Sequence, residues 1–313
     1  MSIARLGHTD LDVFRLCLGG NVFGWTLDQE RSFAVLDAYR EAGGNFIDTA
    51  DVYGRRGPDG AGSSEQIIGR WIAARGNRDE LVIATKVGMA EGLRGLSAET
   101  IARGAESSLE RLGIDTIDLY YAHQDDPDTP LEETLGAFAT LIAEGKIAYA
   151  GASNYDADRF EQALEVGRQA GMASYVALQP QYNLMERSGY EGPLMDLCAR
   201  HGVACVPYFS LARGFLTGKY RPGGAEVDSP RAGGVRDLYF NDRGFAVLEA
   251  LDEVAAAHGA SVAAVSLAWL AAQPTVVSPI ASATSTEQLA ELLQFVSLQL
   301  SEDELRLLSD ASA

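Results

Sequence analysis

Eight short apolar runs, separated by segments with helical periodicity, constrain the fold of this chain more than any other feature. The runs read FRLCLG, NFID, LVIATK, TIDLYYAH, IAYAGAS, YVALQP, GVACVPYF and TVVSPIA. Apolar strands that alternate with amphipathic helices are typical of a parallel sheet with crossover helices. The chain has 313 residues, which is enough for a closed (β/α)8 TIM barrel of about 250 residues.

Two observations favour this barrel over the runner-up, an open doubly wound sheet. The first run is not followed by G-x-G-x-x-G, since LCLGGNVFGW lacks that spacing, and no change of composition marks a second domain. We therefore predict an α/β fold in which residues 1–313 form a single (β/α)8 barrel domain. Residues 1–13 have the length of a short N-terminal hairpin, and residues 209–243 are predicted to form a long loop after strand 7.

Capping residues predict where three of the helices begin. Pro130 is predicted at the first helical position of one helix, where its missing N–H costs nothing. Ser63 is predicted to cap a second helix, with Gln66 at the capping-box offset. Ser285 with Gln288 is predicted as the capping pair of a third helix, near the end of the chain.

The charge and the cysteines limit the classes of partner. Lys plus Arg is 25 and Asp plus Glu is 44, so the net charge is −19, which repels nucleic acid and anionic membranes. The N-terminus lacks a signal pattern, and no run of about 18 apolar residues occurs. Cys17 and Cys205 lie in apolar runs and are interpreted as core residues. With Cys198 the chain has three cysteines, and this odd number favours a reducing compartment over a disulfide framework. We expect a cytoplasmic protein with no nucleic-acid partner and no membrane partner.

Ionisable side chains stand at or just beyond the ends of three consecutive strands. Asp48 ends the second strand with Tyr53 in the loop behind it, Lys86 ends the third strand, and His123 ends the fourth. Each residue alone has an ordinary explanation: a loop cap, a packing tyrosine, a solvated strand end and a core histidine. The carboxyl ends of barrel strands share one rim, so the four residues taken together favour a reactive site at that rim. Asp51 is interpreted as loop structure.

The chemistry of these four groups suits a proton donor built on a phenol. A free tyrosine has a pKa of about 10, and a nearby ammonium stabilises its phenolate. The sequence therefore predicts that Lys86 lowers the pKa of Tyr53 and that Asp48 orients Lys86. A histidine beside the phenol, here His123, is suited to donate a hydrogen bond to a substrate carbonyl oxygen.

Six motifs resemble those of the aldo-keto reductase family, in the family's order and over essentially the whole chain. They read FIDTADVYG, IATKVG, LYYAHQDDPDTPLEET, GASNY, LQPQYNLMER and PYFSLARGFLTGKY. The resemblance implies reversible reduction of aldehydes and ketones to alcohols with NADP(H) or NAD(H), and no metal site. It implies a catalytic tetrad with Tyr53 as general acid: Asp48, Tyr53, Lys86 and His123.

The resemblance also implies the residues that contact the cofactor. Those implied to bind the carboxamide are Ser153, Asn154 and Gln179, and Tyr208 is implied to stack on the nicotinamide ring. The strand-7 loop is implied to cover the pyrophosphate with Ser210, Leu211, Gly214 and Lys219. The adenosine end is implied to lie at Ser282, Thr284 and Gln288. Residues 281–292 contain no Lys or Arg, so the preference between NADPH and NADH stays open.

A small-molecule carbonyl substrate is expected in an apolar pocket. The predicted lining residues are Val22, Phe23, Trp25 and Val87. Two other functions remain open: a cofactor-binding regulatory barrel with little turnover, and an aldolase that forms a Schiff base on Lys86. The substrate itself and the oligomeric state are not predicted.

Overall fold

A computed structural model describes residues 2–224, 226–227, 230 and 232–313 of the chain. Strands β1 (Ile3–Arg5) and β2 (Asp12–Phe14) pair antiparallel. This hairpin matches the one predicted ahead of the first barrel strand, except for Met1, which lies outside the described residues.

Within the described ranges, eight strands form one parallel sheet, and they match the eight apolar runs. They are β3 (Cys17–Gly19), β4 (Phe46–Asp48), β5 (Val82–Val87), β8 (Ile117–Ala122), β9 (Ile147–Ser153), β10 (Tyr175–Gln179), β11 (Ala204–Cys205) and β12 (Ile280–Ala281). Their spatial order is β11-β10-β9-β8-β5-β4-β3-β12. The two remaining short strands, β6 (Met89–Ala90) and β7 (Leu93–Arg94), form a hairpin after β5.

Hydrogen bonds between the last two segments close this sheet into a barrel. The backbone N–H of Cys205 donates to the carbonyl of Thr275 at 2.9 Å, and the N–H of Val277 donates back to Cys205 at 2.9 Å. The N–H of Ile280 then donates to the carbonyl of Pro207 at 2.9 Å. The predicted (β/α)8 barrel is therefore confirmed.

The helices pack around the barrel and run between or after its strands. They are α1 (Gln29–Glu41), α2 (Ser63–Arg75), α3 (Ala98–Leu112), α4 (Leu131–Ala143), α5 (Ala157–Ala170), α6 (Pro193–His201), α7 (Ala232–Tyr239), α8 (Asp242–His258), α9 (Val262–Ala271), α10 (Thr286–Leu293) and α11 (Glu302–Ala311). One large apolar cluster fills the space between strands and helices, and a smaller one that includes Ala84, Leu119 and Tyr121 fills the barrel interior. Alternate residues of each strand pack into one cluster or the other.

Two of the three predicted helix starts are shifted by one residue. Helix α4 begins at Leu131, so Pro130 is its cap and not its first residue. Helix α2 begins at Ser63 itself and is preceded by Gly62, whose φ of 81° only glycine adopts readily. Ser285 does cap α10 by accepting from the N–H of Gln288, as predicted.

The predicted loop after strand 7 contains regular structure. A 3-10 helix spans Ala212–Thr217, α7 follows, and α8 already begins at Asp242. The predicted long connection after strand 7 therefore includes these helical segments, and residues 225, 228, 229 and 231 of its predicted range lie outside the described residues. Across the described ranges, no single helix is long and apolar enough to cross a membrane; only α8 and α9, bent by 98°, pass that test as a pair.

Candidate active site

A buried ion pair joins the ends of strands β4 and β5. The Nζ of Lys86 lies 2.7 Å from Oδ2 of Asp48, and both side chains are buried. The ammonium also donates to the backbone carbonyl of Thr49 at 2.6 Å. The other carboxylate oxygen of Asp48 accepts a hydrogen bond of 2.9 Å from Nε2 of Gln179, at the end of β10. Strand alternation turns Lys86 and Asp48 into the barrel, where these partners satisfy both charges.

The chain beyond β4 delivers Tyr53 to the same ammonium. It first continues along β5, with the N–H of Asp51 donating to the carbonyl of Lys86 at 3.3 Å. It then turns, with the N–H of Tyr53 donating to the carbonyl of Ala50 at 3.0 Å. The phenol oxygen of Tyr53 lies 3.2 Å from Nζ of Lys86, and that atom lies 4.7 Å from the ring centre. We call the four connected residues the inner network: Asp48, Tyr53, Lys86 and Gln179.

The predicted lowering of the Tyr53 pKa was wrong in its net direction. Burial raises the pKa of Tyr53 above its ordinary value, and the Lys86 charge lowers it by less. Burial alone would lower the pKa of Lys86, but the neighbouring Asp48 and Tyr53 raise it overall. The phenol therefore holds its proton at neutral pH, and the ammonium reduces the cost of removing that proton.

His123 lies beside the phenol at the end of β8. Its backbone N–H donates to the carbonyl of Val87 at 2.9 Å, and its ring meets that of Tyr53 edge to face with the centres 6.1 Å apart. Burial and then the charge of Lys86 hold the pKa of His123 well below its ordinary value. The imidazole is therefore neutral, and no described residue is hydrogen bonded to its buried Nδ1.

The residues predicted to bind a carboxamide form one hydrogen-bonded group with Tyr208. Ser153 donates to the backbone carbonyl of Gln179 at 2.8 Å, and the amide nitrogen of Asn154 donates to Ser153 at 3.1 Å. The hydroxyl of Tyr208 donates to Oδ1 of Asn154 at 2.7 Å, which fixes the half-buried Tyr208 ring at the rim. The structure thus brings these four residues together, next to Asp48.

Backbone strain is concentrated beside this group. Among the non-glycine residues that the structure describes, five have positive φ, and four of them are Asn154, Phe209, Ala212 and Arg213. Strained conformations cluster at functional sites because other contacts must hold them in place. The same stretch contains the predicted pyrophosphate residues, whose contacts are local: Ser210 donates to Pro207 at 3.0 Å, and Gly214 to Leu211 at 2.8 Å. Gly214 lies close to the exposed Lys219.

The predicted adenosine end gains a cation that the local sequence does not contain. Thr284 donates its N–H and its hydroxyl to Oε1 of Gln288, both at 2.9 Å, and Ser282 donates to Asn21 at 2.7 Å. Arg31, from α1, reaches this segment and donates from Nη2 to the carbonyl of Thr284 at 3.2 Å. Arg31 and Thr284 are 253 positions apart in the sequence, and closure of the barrel brings them into contact.

The four residues predicted to line a substrate pocket lie in different surroundings. Trp25 is half-buried, Val22 is almost fully buried, and Phe23 has no exposed surface. Val87 faces outward: a Cβ added at Gly104 of α3 would lie 2.5 Å from its Cγ2. The placement of Val87 in the pocket was wrong because β5 turns alternate residues outward, and Lys86 is the inward one.

A second cluster of charges lies on the outer side of β5, against α2 and α3. We call it the outer network: Asp51, Glu65, Thr85 and Arg111. Glu65 is fully buried and accepts hydrogen bonds of 2.6 Å from the Thr85 hydroxyl and 2.6 Å from Nε of Arg111. Asp51 is also buried, yet neither carboxylate oxygen has a partner in the described part of the chain. Burial, followed by the charge of Glu65, raises the pKa of Asp51 to about 7, so Asp51 is more than an ordinary loop residue.

The rim fits a nicotinamide cofactor. Such a cofactor needs amide and hydroxyl partners for its carboxamide, an aromatic face for its ring, and donors for its phosphates. Asn154 and Gln179 could serve the carboxamide, and the held ring of Tyr208 could serve the nicotinamide ring. Lys219 lies close to Gly214 and Arg31 contacts Thr284, so both cations lie at segments predicted to bind phosphates. Nδ1 of His123 has no partner among the described residues, and the ring that carries it contacts the ring of Tyr53.

Comparison with known proteins agrees with this geometry. The sequence model of the Aldo/keto reductase family matches residues 15–313. Similar proteins include a probable voltage-gated potassium channel subunit beta of Oryza sativa subsp. japonica, 34% identical over 303 residues, which cover 93% of this chain and 90% of the relative. An aryl-alcohol dehydrogenase [NADP(+)] of Phanerodontia chrysosporium is 33% identical over 91% of this chain and 77% of the relative. An L-glyceraldehyde 3-phosphate reductase of Escherichia coli K12 is 32% identical over 94% of this chain and 87% of the relative. Because the family's sequence model covers nearly the whole chain, this protein belongs to the aldo-keto reductase family.

Proposed function

We propose that this chain is an NAD(P)H-dependent oxidoreductase that reduces aldehydes and ketones to alcohols and catalyses the reverse oxidation. One observation carries the proposal: the Lys86 ammonium lies 2.7 Å from Asp48 and 3.2 Å from the Tyr53 phenol, with a neutral imidazole beside that phenol. The names of several relatives as reductases or dehydrogenases support it. We further propose that one barrel domain, residues 1–313, performs the whole reaction.

Each residue of the rim has a distinct part in the mechanism. The nicotinamide, when bound, supplies the hydride that adds to the carbonyl carbon. Tyr53 donates its phenolic proton to the carbonyl oxygen as negative charge develops there, and Lys86 stabilises the phenolate that remains. Asp48 keeps Lys86 charged and oriented. His123 donates an N–H hydrogen bond to the same carbonyl oxygen and positions it. In alcohol oxidation, the phenolate of Tyr53 accepts the hydroxyl proton.

We propose NADP(H) as the preferred cofactor. The name of the Phanerodontia chrysosporium relative includes NADP(+), and Arg31 brings a cation to Thr284. Charge-assisted hydrogen bonds to phosphate are about twice as strong as neutral ones. We expect Arg31→Ala to weaken NADPH binding about tenfold relative to NADH binding, measured by fluorescence titration with both cofactors. Arg168→Ala, an exposed change on α5, is the matched control. An equal loss for both cofactors would contradict the role of Arg31.

The main alternative is a cofactor-binding regulatory subunit with little turnover, which the name of the Oryza sativa relative favours. The third candidate, an aldolase with a Schiff base on Lys86, is disfavoured because that amine holds hydrogen bonds of 2.7, 2.6 and 3.2 Å. Its pKa is also raised, so little of it is the neutral nucleophile.

Two measurements on the purified chain separate the first two functions, and borohydride trapping with a carbonyl substrate tests the third. The first is fluorescence titration with NADPH and NADH, and the second is a panel of aldehydes and ketones monitored by loss of the reduced cofactor. The proposed function requires binding and turnover on at least part of the panel. Tight binding without turnover supports the regulatory subunit, and borohydride trapping on Lys86 supports the aldolase.

A further inference from the structure

Two adjacent arginines follow the proposed proton donor, and the mechanism above uses neither. Arg55 and Arg56 are exposed, and in the ranges that the structure describes no ion pair or side-chain hydrogen bond involves their guanidinium groups. Several other exposed arginines of this acidic chain are paired, as in Arg75 with Asp37 at 2.7 Å. An arginine doublet that has no acidic partner among the residues the structure describes is a local positive site in a protein of net charge −19.

Both side chains lie at the mouth of the candidate active site. The guanidinium of Arg56 lies 5.6 Å from the ring centre of Trp25, the one predicted pocket residue with substantial exposed surface. The charge of Arg55 is close enough to His123 to lower the pKa of that imidazole, after burial and Lys86. The two positive charges thus lie near Trp25 and near His123, the residue beside the proposed proton donor.

The loop that carries the arginines is anchored to the turn before Trp25. A Cβ added at Gly57 would lie 1.6 Å from the backbone carbonyl oxygen of Gly24, so the two backbones are in direct contact. The N–H of Gly62 donates to the carbonyl of Tyr53 at 2.9 Å and closes the loop. Asp59, on the same loop, forms no ion pair with either arginine in the described part of the structure. The loop that carries the doublet is therefore held against the turn before Trp25, and no described residue of that loop neutralises the two charges.

We propose that the preferred substrates are aldehydes or ketones that carry an anionic group, a carboxylate or a phosphate, which Arg55 and Arg56 bind at the pocket mouth. The carbonyl then lies at Tyr53 and His123. The planar guanidinium binds both anions through paired hydrogen bonds. This inference rests on the proposed function and extends it by naming the class of substrate.

The test compares charged and neutral aldehydes of otherwise similar shape. One pair is para-formylbenzoate and its methyl ester, and the second is glyceraldehyde 3-phosphate and glyceraldehyde. For each pair, kcat/KM is measured with the wild-type chain, the Arg55→Gln/Arg56→Gln double variant and the control Arg168→Gln. The readout is the charged-to-neutral ratio of kcat/KM, and dividing the wild-type ratio by the variant ratio cancels the intrinsic reactivity of each aldehyde.

We expect the double variant to reduce this ratio about tenfold in at least one pair, mainly through KM, while Arg168→Gln leaves it unchanged. The wild-type ratio should also fall as salt is added, because exposed charges are screened. A decrease in the carboxylate pair or in the phosphate pair identifies the anion. An unchanged ratio in both pairs, or an equal decrease in the control, would overturn the inference. Reduction of the neutral aldehydes alone would leave the proposed function standing, whereas no turnover of any aldehyde would remove both.

Discussion

Two buried charge networks flank strand β5, and they differ in how completely their charges are satisfied. In the inner network, Lys86 bonds to Asp48, Thr49 and Tyr53, and the second oxygen of Asp48 bonds to Gln179. In the outer network, Glu65 is paired with Arg111, but the neighbouring carboxylate of Asp51 has no partner among the described residues.

This difference separates a network suited to chemistry from one suited to holding the catalytic loop. The inner network contains a phenol whose proton can be given up, because an ammonium 3.2 Å away stabilises the charge that remains. In the outer network Asp51, Glu65 and Thr85 are buried, and its hydrogen bonds join β5 to α2 and α3. Breaking the inner network should therefore affect activity, whereas breaking the outer network should affect stability.

The largest effect is expected from Lys86→Met. Loss of the ammonium removes the charge that stabilises the phenolate, so kcat for aldehyde reduction should fall by about 10²–10⁴. It also leaves Asp48 buried with Gln179 as its remaining partner, so the free energy of unfolding should fall by roughly 3–5 kcal/mol. Steady-state kinetics and urea unfolding measure the two effects. Retained activity in a folded variant would contradict the catalytic role of the inner network.

A stability effect without a catalytic one is expected from Arg111→Met. It leaves Glu65 buried without its ion-pair partner, which should cost roughly 3–5 kcal/mol of unfolding free energy. The control is Arg103→Met on the same helix, whose pair with Glu99 is exposed and should contribute little. If Arg111→Met changed kcat at a temperature where the variant is folded, the two networks would not be separate.

A pH-dependent effect is expected from Asp51→Asn. Folding raises the pKa of Asp51 to about 7, whereas an unfolded aspartate titrates near about 3.9. Between those values the folded chain holds a proton that the unfolded chain has released, so unfolding free energy falls as pH rises. Asparagine does not titrate, so the free energy of unfolding of the variant does not fall in this way. The variant should be more stable than the wild type by roughly 2–4 kcal/mol at pH 8, but not at pH 4. Urea unfolding at both pH values checks this, and a pH-independent difference would refute it.

The sequence predicted the barrel because short apolar runs and helical segments are local patterns. It also predicted that Asp48, Tyr53, Lys86 and His123 meet, since strand ends share one rim. Properties set by three-dimensional packing were missed. The pKa of Tyr53 depends on burial, which outweighs the nearby ammonium.

Three other residues show the same limit. Val87 faces α3 because side chains alternate between the two faces of β5. In an apolar run that is buried on both faces, the sequence does not show which residues point inward. The contact of Arg31 with Thr284 joins residues 253 positions apart. Asp51 was interpreted as loop structure because it has no part in the predicted proton-donor site, and its burial depends on the packing of α2 and α3.

The most direct test of the central claim, that Tyr53 is the proton donor of the inner network, is aldehyde reduction by Tyr53→Phe with cofactor affinity measured on the same sample. We expect kcat to fall by about 10²–10⁴, because the phenol hydroxyl donates the proton. The Kd for NADPH should change by less than about twofold, because that hydroxyl does not bind the cofactor. Reduction of a good aldehyde at a rate within a few-fold of the wild type would contradict the central claim.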